Sequence, residues 1–144
     1  MKKKVAKKYD QCLEVSQDNK KYLNLSLKRS KGHLPHMEVA KAFSKLLKKD
    51  LKNKTTMLDV GCLSGHFLRT FREKNNKNFF YQGLDPFDLH INAAKKVWEK
   101  DKNSSFKVGW AQKIPFKQKK FDITICSNVF THIPNILNPI KELI

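Results

Sequence analysis

The sequence predicts an α/β fold built on a doubly wound, mostly parallel sheet. Three observations carry that expectation. Two short apolar runs, 55–60 and 79–85, carry an acid at or near their ends. Amphipathic stretches with three- and four-residue spacing follow them. Gly61 and Gly65 stand at the first junction, where a strand must turn tightly into a helix.

At 144 residues, 40% hydrophobic and with 10 phenylalanines, the chain suits one globular domain with an ordinary core. Its formal charge is +17, from 30 Lys+Arg against 13 Asp+Glu. A balance that basic raises nucleic acid or an anionic surface as partner. The arginines are Arg29, Arg69 and Arg72, and lysine with abundant asparagine is what drift towards AT-rich codons produces. Nucleic-acid sites favour arginine for bidentate contacts. Two readings of the charge therefore stand: a solvated lysine surface and a polyanionic partner.

Cys12, Cys62 and Cys126 have no paired spacing and suit a reducing compartment better than a disulfide framework. The basic start Met1-Lys2-Lys3-Lys4 is not followed by the apolar run of a signal peptide. No stretch of about 18 apolar residues exists, which excludes a helical membrane span. The expected location is cytoplasmic.

Taken in order, residues 1–34 read as a basic, helical extension. Lys2 to Lys8 is a charged run, 9–27 has apolar positions enough for a short helix, and Arg29 to Pro35 is a turn-rich link. Residues 35–144 read as the main domain. The spacing of Val39, Ala42, Phe43, Leu46, Leu47 and Leu51 predicts an amphipathic helix over 35–51, with Pro35 near its start. A strand follows at 55–60, a loop at 61–65, and a helix from His66 to about Glu73 with Phe67, Leu68 and Phe71 inward. Lys74 to Asn78 is a polar turn before the second strand, 79–85. Asp88 to about Lys100 is a helix with Ile91, Ala94, Val97 and Trp98 on one side. Phe106 to Gly109 is a short third strand, Ala111 to Lys120 a loop, and Phe121 to Cys126 a fourth strand apolar enough for a central place. A turn at 128–134 leads into a helix from Pro139. An apolar fourth strand with nothing beyond it would leave an open edge, so the sequence predicts either missing C-terminal strands or a partner that covers it.

The loop has its own chemistry. A dinucleotide fingerprint needs glycine at 63 and 66, where Leu63 and His66 stand, and no Gly-Lys-Ser/Thr follows for a P-loop. Asp59 would repel phosphate and suit a ligand that carries a cation. Gly61 and Gly65 are expected to let backbone N–H groups approach that ligand.

Leu58-Asp59-Val60-Gly61-Cys62-Leu63-Ser64-Gly65 resembles the first motif, D/E-x-G-x-G-x-G, of class I S-adenosylmethionine-dependent methyltransferases. It is most similar to the small-molecule type that includes ubiquinone and menaquinone methylases. Asp85, twenty residues past Gly65, resembles the acid that binds the ribose hydroxyls. Gly109 to Phe116 resembles the segment beside the adenine, and Phe121 to Ile133 the fourth strand with its continuation. The resemblance covers about 37–144 and departs at Leu63, in place of the middle glycine, and at Trp110, in place of an acid that bonds the adenine amine.

The resemblance implies a Rossmann-like sheet beginning 3-2-1-4, truncated at its C-terminal side, and S-adenosylmethionine as cofactor. It implies cofactor contacts from Asp59, Gly61, Gly65, Asp85, Pro86, Ala111, Gln112, Ser127 and Asn128. The helix at 35–51 would flank the pocket, and the region before it would cover the acceptor. His132, after the fourth strand, is the candidate general base, with a structural histidine as the competing reading. The expected acceptor is a small molecule or lipid precursor. RNA is the runner-up, as methyl acceptor or as ligand of a basic binding module, and an inactive cofactor-binding fragment is a further alternative. His33-x-x-His36 and Cys62-x-x-x-His66 are isolated pairs, so no metal site is expected.

Overall fold

The computed structural model describes residues 19–75, 78–117, 120–133 and 135–143. In chain order these form α1 (Asn19–Ser30), α2 (Glu38–Leu46), β1 (Thr56–Val60), α3 (His66–Asn75) and β2 (Phe80–Asp85). Then come α4 (Asp88–Val97), β3 (Ser104–Val108), β4 (Ile123–Cys126) and α5 (Leu137–Leu143). Single 3₁₀ turns occupy Leu47–Lys49 and Phe130–His132. The run Lys2–Lys8 and Cys12 lie outside the described residues, as does the part of the 9–27 stretch before Asn19.

The strands form one sheet in the order β3-β2-β1-β4, every pairing parallel. Strand alternation sorts the side chains into two layers. Met57, Tyr81, Phe106 and Ile125 share one core with Phe67, Leu68 and Phe71 of α3, Ile91 and Ala94 of α4, and Ala40 of α2. Leu58, Val60 and Leu84 face the other way, against Ala111, Ile114, Phe116, Phe121 and Leu143. Period-two alternation puts Asp59 on the side of Met57 and Asp85 on the side of Tyr81. Both acids therefore emerge on the α3 side, at the C-terminal ends of adjacent strands. Among the described residues no helix is long and apolar enough to cross a membrane.

The first layer is closed and the second is not. Phe80 is 47% exposed and Thr124 is exposed, both on the second face. β4 pairs with β1 alone, so among the described residues it is an edge rather than a central strand.

Several boundaries differ from the sequence expectation. α2 is shorter than 35–51, because Met37 is extended and the last turn tightens to 3₁₀. Its packed face is Val39, Ala40, Phe43 and Leu47, so Ala42 is exposed and Leu46 is 73% exposed. α3 continues to Asn75, which is buried and whose Oδ1 accepts from Ser44 Oγ. α4 ends at Val97, before Lys100. β3 begins at Ser104, two residues before Phe106, because Tyr81 N–H donates to Asn103 O and Ser105 bonds Gln82. Its polar start hid it from a hydrophobicity reading. β4 starts at Ile123, and α5 starts at Leu137, ahead of Pro139.

Two of the three arginines are spent internally. Arg69 Nη1 donates to Arg29 O and Leu34 O, tying α1 and its link to α3. Arg72 pairs with Asp101, donates to Phe79 O and lies over the Phe79 ring.

One contact sets the distance between β2 and β3. A Cβ on Gly83 would lie 2.5 Å from Phe106 Cδ1 and 2.7 Å from Cys62 Sγ. Gly83→Ala is expected to destabilise the domain by about 1–3 kcal/mol, read as a lower midpoint in urea denaturation.

Candidate active site

The β1–α3 loop is held by bonds inside the protein. Gly61 and Cys62 N–H both donate to Leu84 O, and Gly65 N–H donates to Cys62 O. Leu63 N–H donates to Asp85 Oδ2, and Ser64 N–H donates to Ser26 Oγ on α1. All five loop amides are thus satisfied without a ligand. This corrects the expectation that Gly61 and Gly65 open N–H groups to one. A loop with its amides spent is no cradle for phosphate.

The glycines serve packing instead. Gly61 has φ +79, and a Cβ there would sit 2.3 Å from Val129 Cγ2. Gly65 has φ +73, and its Cβ would meet Trp98 Nε1 at 2.8 Å and Phe106 Cε1 at 2.9 Å. Leu63, between them, takes φ +51, a left-handed conformation that strains a residue with a Cβ by about 1 kcal/mol.

Asp85 is a hub. Oδ2 accepts from Leu63 N–H, while Oδ1 accepts from Phe87 N–H and lies 2.9 Å from His90 Nδ1. The carboxylate, 3% exposed, so joins the loop after β1, its own turn and α4. A second cluster centres on Ser64. Ser26 and Ser30, one helical turn apart on α1, meet its hydroxyl, and Trp98 Nε1 donates to its carbonyl at 3.0 Å. Ser26 Oγ also lies 3.1 Å from His66 Nδ1. α1 is thereby fastened over the strand ends.

Beneath α1 opens a cavity of about 320 Å³, within the small-molecule range. Asp59, Gly61, Asp85, Pro86, Ala111, Gln112, Ser127, Asn128 and His132 all line it. Gly65 does not; it lies behind the loop, against Trp98 and Phe106. Leu63 and Trp110, the two departures from the family pattern, both line the cavity. Sequence reasoning missed Tyr22, Ser26, Arg29, His66 and His90, which also line it. A single available signal was the serine pair four apart on a stretch otherwise read only for apolar residues. His33 is exposed, and His36 bonds Thr70 Oγ1 and Glu73 Oε2. Among the described residues no group of three His, Cys, Asp or Glu is placed to hold a metal ion.

Two buried acids, spent loop amides and flanking apolar plates from Pro86, Phe87 and Trp110 fit a cationic ligand with a planar base, not a free phosphate. Comparison with known proteins agrees. A family model described as a methyltransferase domain matches residues 51–144, and the chain belongs to that family. The cofactor that goes with this family is S-adenosylmethionine. A tRNA U34 carboxymethyltransferase from Nautilia profundicola is 34% identical over 97 residues, 65% of this chain. The chain spans 31% of that relative's length. A crystal structure of an S-adenosylmethionine-dependent methyltransferase from Aquifex aeolicus has a TM-score of 0.60 and 25% identity, covering 69% of this chain and 54% of that one. A structure from Methanococcus maripaludis shares the fold at a TM-score of 0.69 and 12% identity, over 88% of this chain and 56% of that one.

The cavity's electrostatics follow from the burial of its titratable groups. Burial pushes the Asp59 carboxyl up to about 7; the Tyr81 hydroxyl bond opposes the rise and the Asp85 charge adds to it. Burial lowers His66 to about 4, helped by Arg29, so its ring is neutral at pH 7. Burial also raises Cys126 to about 11, keeping it a thiol. Because the folded state holds the Asp59 proton more tightly than the unfolded chain does, stability falls as pH rises from about 4 to about 7. Asp59→Asn keeps an acceptor for Tyr81 and removes the charge. It is expected to raise the melting temperature at pH 8 by several degrees and to flatten that part of the pH profile, measured by thermal denaturation.

Proposed function

We propose that this chain binds S-adenosylmethionine in the cavity under α1 and takes part in methyl transfer to a nucleophilic acceptor. One observation carries the reading: Asp59 and Asp85, from adjacent strands, line one cavity with apolar plates beside them. Asp85, with about one acceptor site left beyond its three internal partners, offers it to a ribose hydroxyl, and Pro86, Ala111 and Gln112 flank the base. Asp59 favours the cationic end of the ligand, with Ser127 and Asn128 at the same strand ends. Held by these residues, the cofactor would supply an electrophilic methyl group on a sulfonium, with a neutral thioether as the leaving group once an acceptor lone pair takes the methyl. The protein's task is then orientation and exclusion of water. His132, exposed at the rim, takes a proton only if the acceptor must lose one.

The acceptor class that suits a concave cavity of this size is a small molecule, resting against Tyr22, Leu25, Met37 and Phe67. A second reading, an RNA acceptor, is favoured by the tRNA-directed relative and by the charge of +17. A third, cofactor binding without activity, rests on Leu63 and Trp110 in the cavity wall.

Calorimetry with S-adenosylmethionine and S-adenosylhomocysteine is expected to show saturable binding to the folded protein. Asp85→Asn, nearly the same in size but with one oxygen exchanged for a donor NH2, should weaken it by at least about tenfold, the loss of a charge-assisted bond to the ligand. A folded sample that binds neither ligand would overturn the reading. Filter binding to tRNA with a steep salt slope would select the RNA acceptor.

A further inference from the structure

His90 is 1% exposed, in the first turn of α4, yet it belongs to the cavity wall. Nδ1 is 2.9 Å from Asp85 Oδ1, and the Phe87 ring packs edge-on against the imidazole with centroids 5.2 Å apart. Nε2 is buried and has no hydrogen-bond partner among the described residues. Nδ1 faces a carboxylate oxygen and is therefore the donor of the pair; in the neutral-imidazole tautomer that this selects, Nε2 is the acceptor. Asp85 thereby fixes the tautomer.

A buried acceptor left unpaired is destabilising, a cost that an apolar side chain of similar volume would avoid. The donor that completes Nε2 is therefore sought in the ligand. Asp85 already accepts three donors of the roughly four its two oxygens accommodate, so it is short of capacity for a diol. Beside His90, the cavity walls from Pro86, Phe87, Trp110 and Ala111 favour a flat base. The nucleoside half of the cofactor brings both kinds of donor, a 6-amino group and ribose hydroxyls.

We propose that His90 is a specificity-determining residue, its Nε2 accepting a hydrogen bond from an N–H or O–H donor on the nucleoside half of the bound cofactor. This rests on the S-adenosylmethionine reading above. The bond compensates for Trp110, which brings no carboxylate to the base. His90 selects the nucleoside and takes no part in the transfer itself.

The test is calorimetry with S-adenosylhomocysteine and three analogues that lack the 6-amino group, the 2′-hydroxyl or the 3′-hydroxyl. His90→Phe is expected to weaken S-adenosylhomocysteine about tenfold, and wild type to lose a similar factor for one analogue. For that analogue His90→Phe should bring no further loss, which identifies the donor. A loss by His90→Phe that is equal for all four ligands, or no loss at all, would overturn the proposal. On wild type, needing no variant, the ¹⁵N resonance of His90 Nε2 should move upfield when S-adenosylhomocysteine saturates the site; an unmoved resonance counts against it. If wild type binds none of the four, the cofactor reading fails first and this one with it. Binding without any dependence on His90 defeats this one alone.

Discussion

The Asp85 carboxylate is the interaction on which the site depends. It sits at the end of β2, nearly buried, and accepts from the loop after β1, from its own turn and from α4. Those donors satisfy the oxygens of a carboxyl group that burial cuts off from water. Remove it and Leu63 N–H, Phe87 N–H and His90 Nδ1 all lose their acceptor at once. The two connections that shape the cavity are thus held by one charge.

Asp59 differs from Asp85, although both are acids at strand ends. Its bonded partner is the Tyr81 hydroxyl, and burial dominates, so it keeps its proton to about pH 7. The site combines one carboxylate fixed in place by donors and one poised to ionise when a cation arrives. Filling the cavity with a cationic ligand would favour the ionised form of Asp59 and so release a proton near neutrality.

α1 supplies the roof, and its attachment is polar. Ser26 and Ser30 bond Ser64 in a region where apolar packing would have been expected. Arg29 faces the cavity from the same helix, close enough to His66 to depress its basicity. The α1 residues that line the cavity therefore come from a segment read in the sequence only for its charge and its apolar positions. Leu63 adds strain at the centre of the loop, the kind of local cost that persists where surrounding bonds over-determine the backbone.

The sequence by itself determined the alternation of strands and helices and the positions of the two acids, through period-two and period-3.6 patterns and motif spacing, which are local properties of the chain. The 3-2-1-4 order was implied by the family resemblance of its motifs. Nine of the ten candidate site residues that the resemblance implied line one cavity, because strand ends in a parallel sheet converge on one edge. Only the tertiary structure decided that the loop amides are consumed internally, that Gly65 packs against Trp98 and Phe106, and that α1 closes the site through a serine cluster. It alone brought His90 to Asp85, with its other nitrogen unpaired among the described residues. The bonds of Ser64 reach back 34 and 38 residues to Ser30 and Ser26, and the loop amide of Leu63 reaches forward 22 to Asp85. No pattern within a single segment encodes such partners, because they exist only once separate segments are packed together.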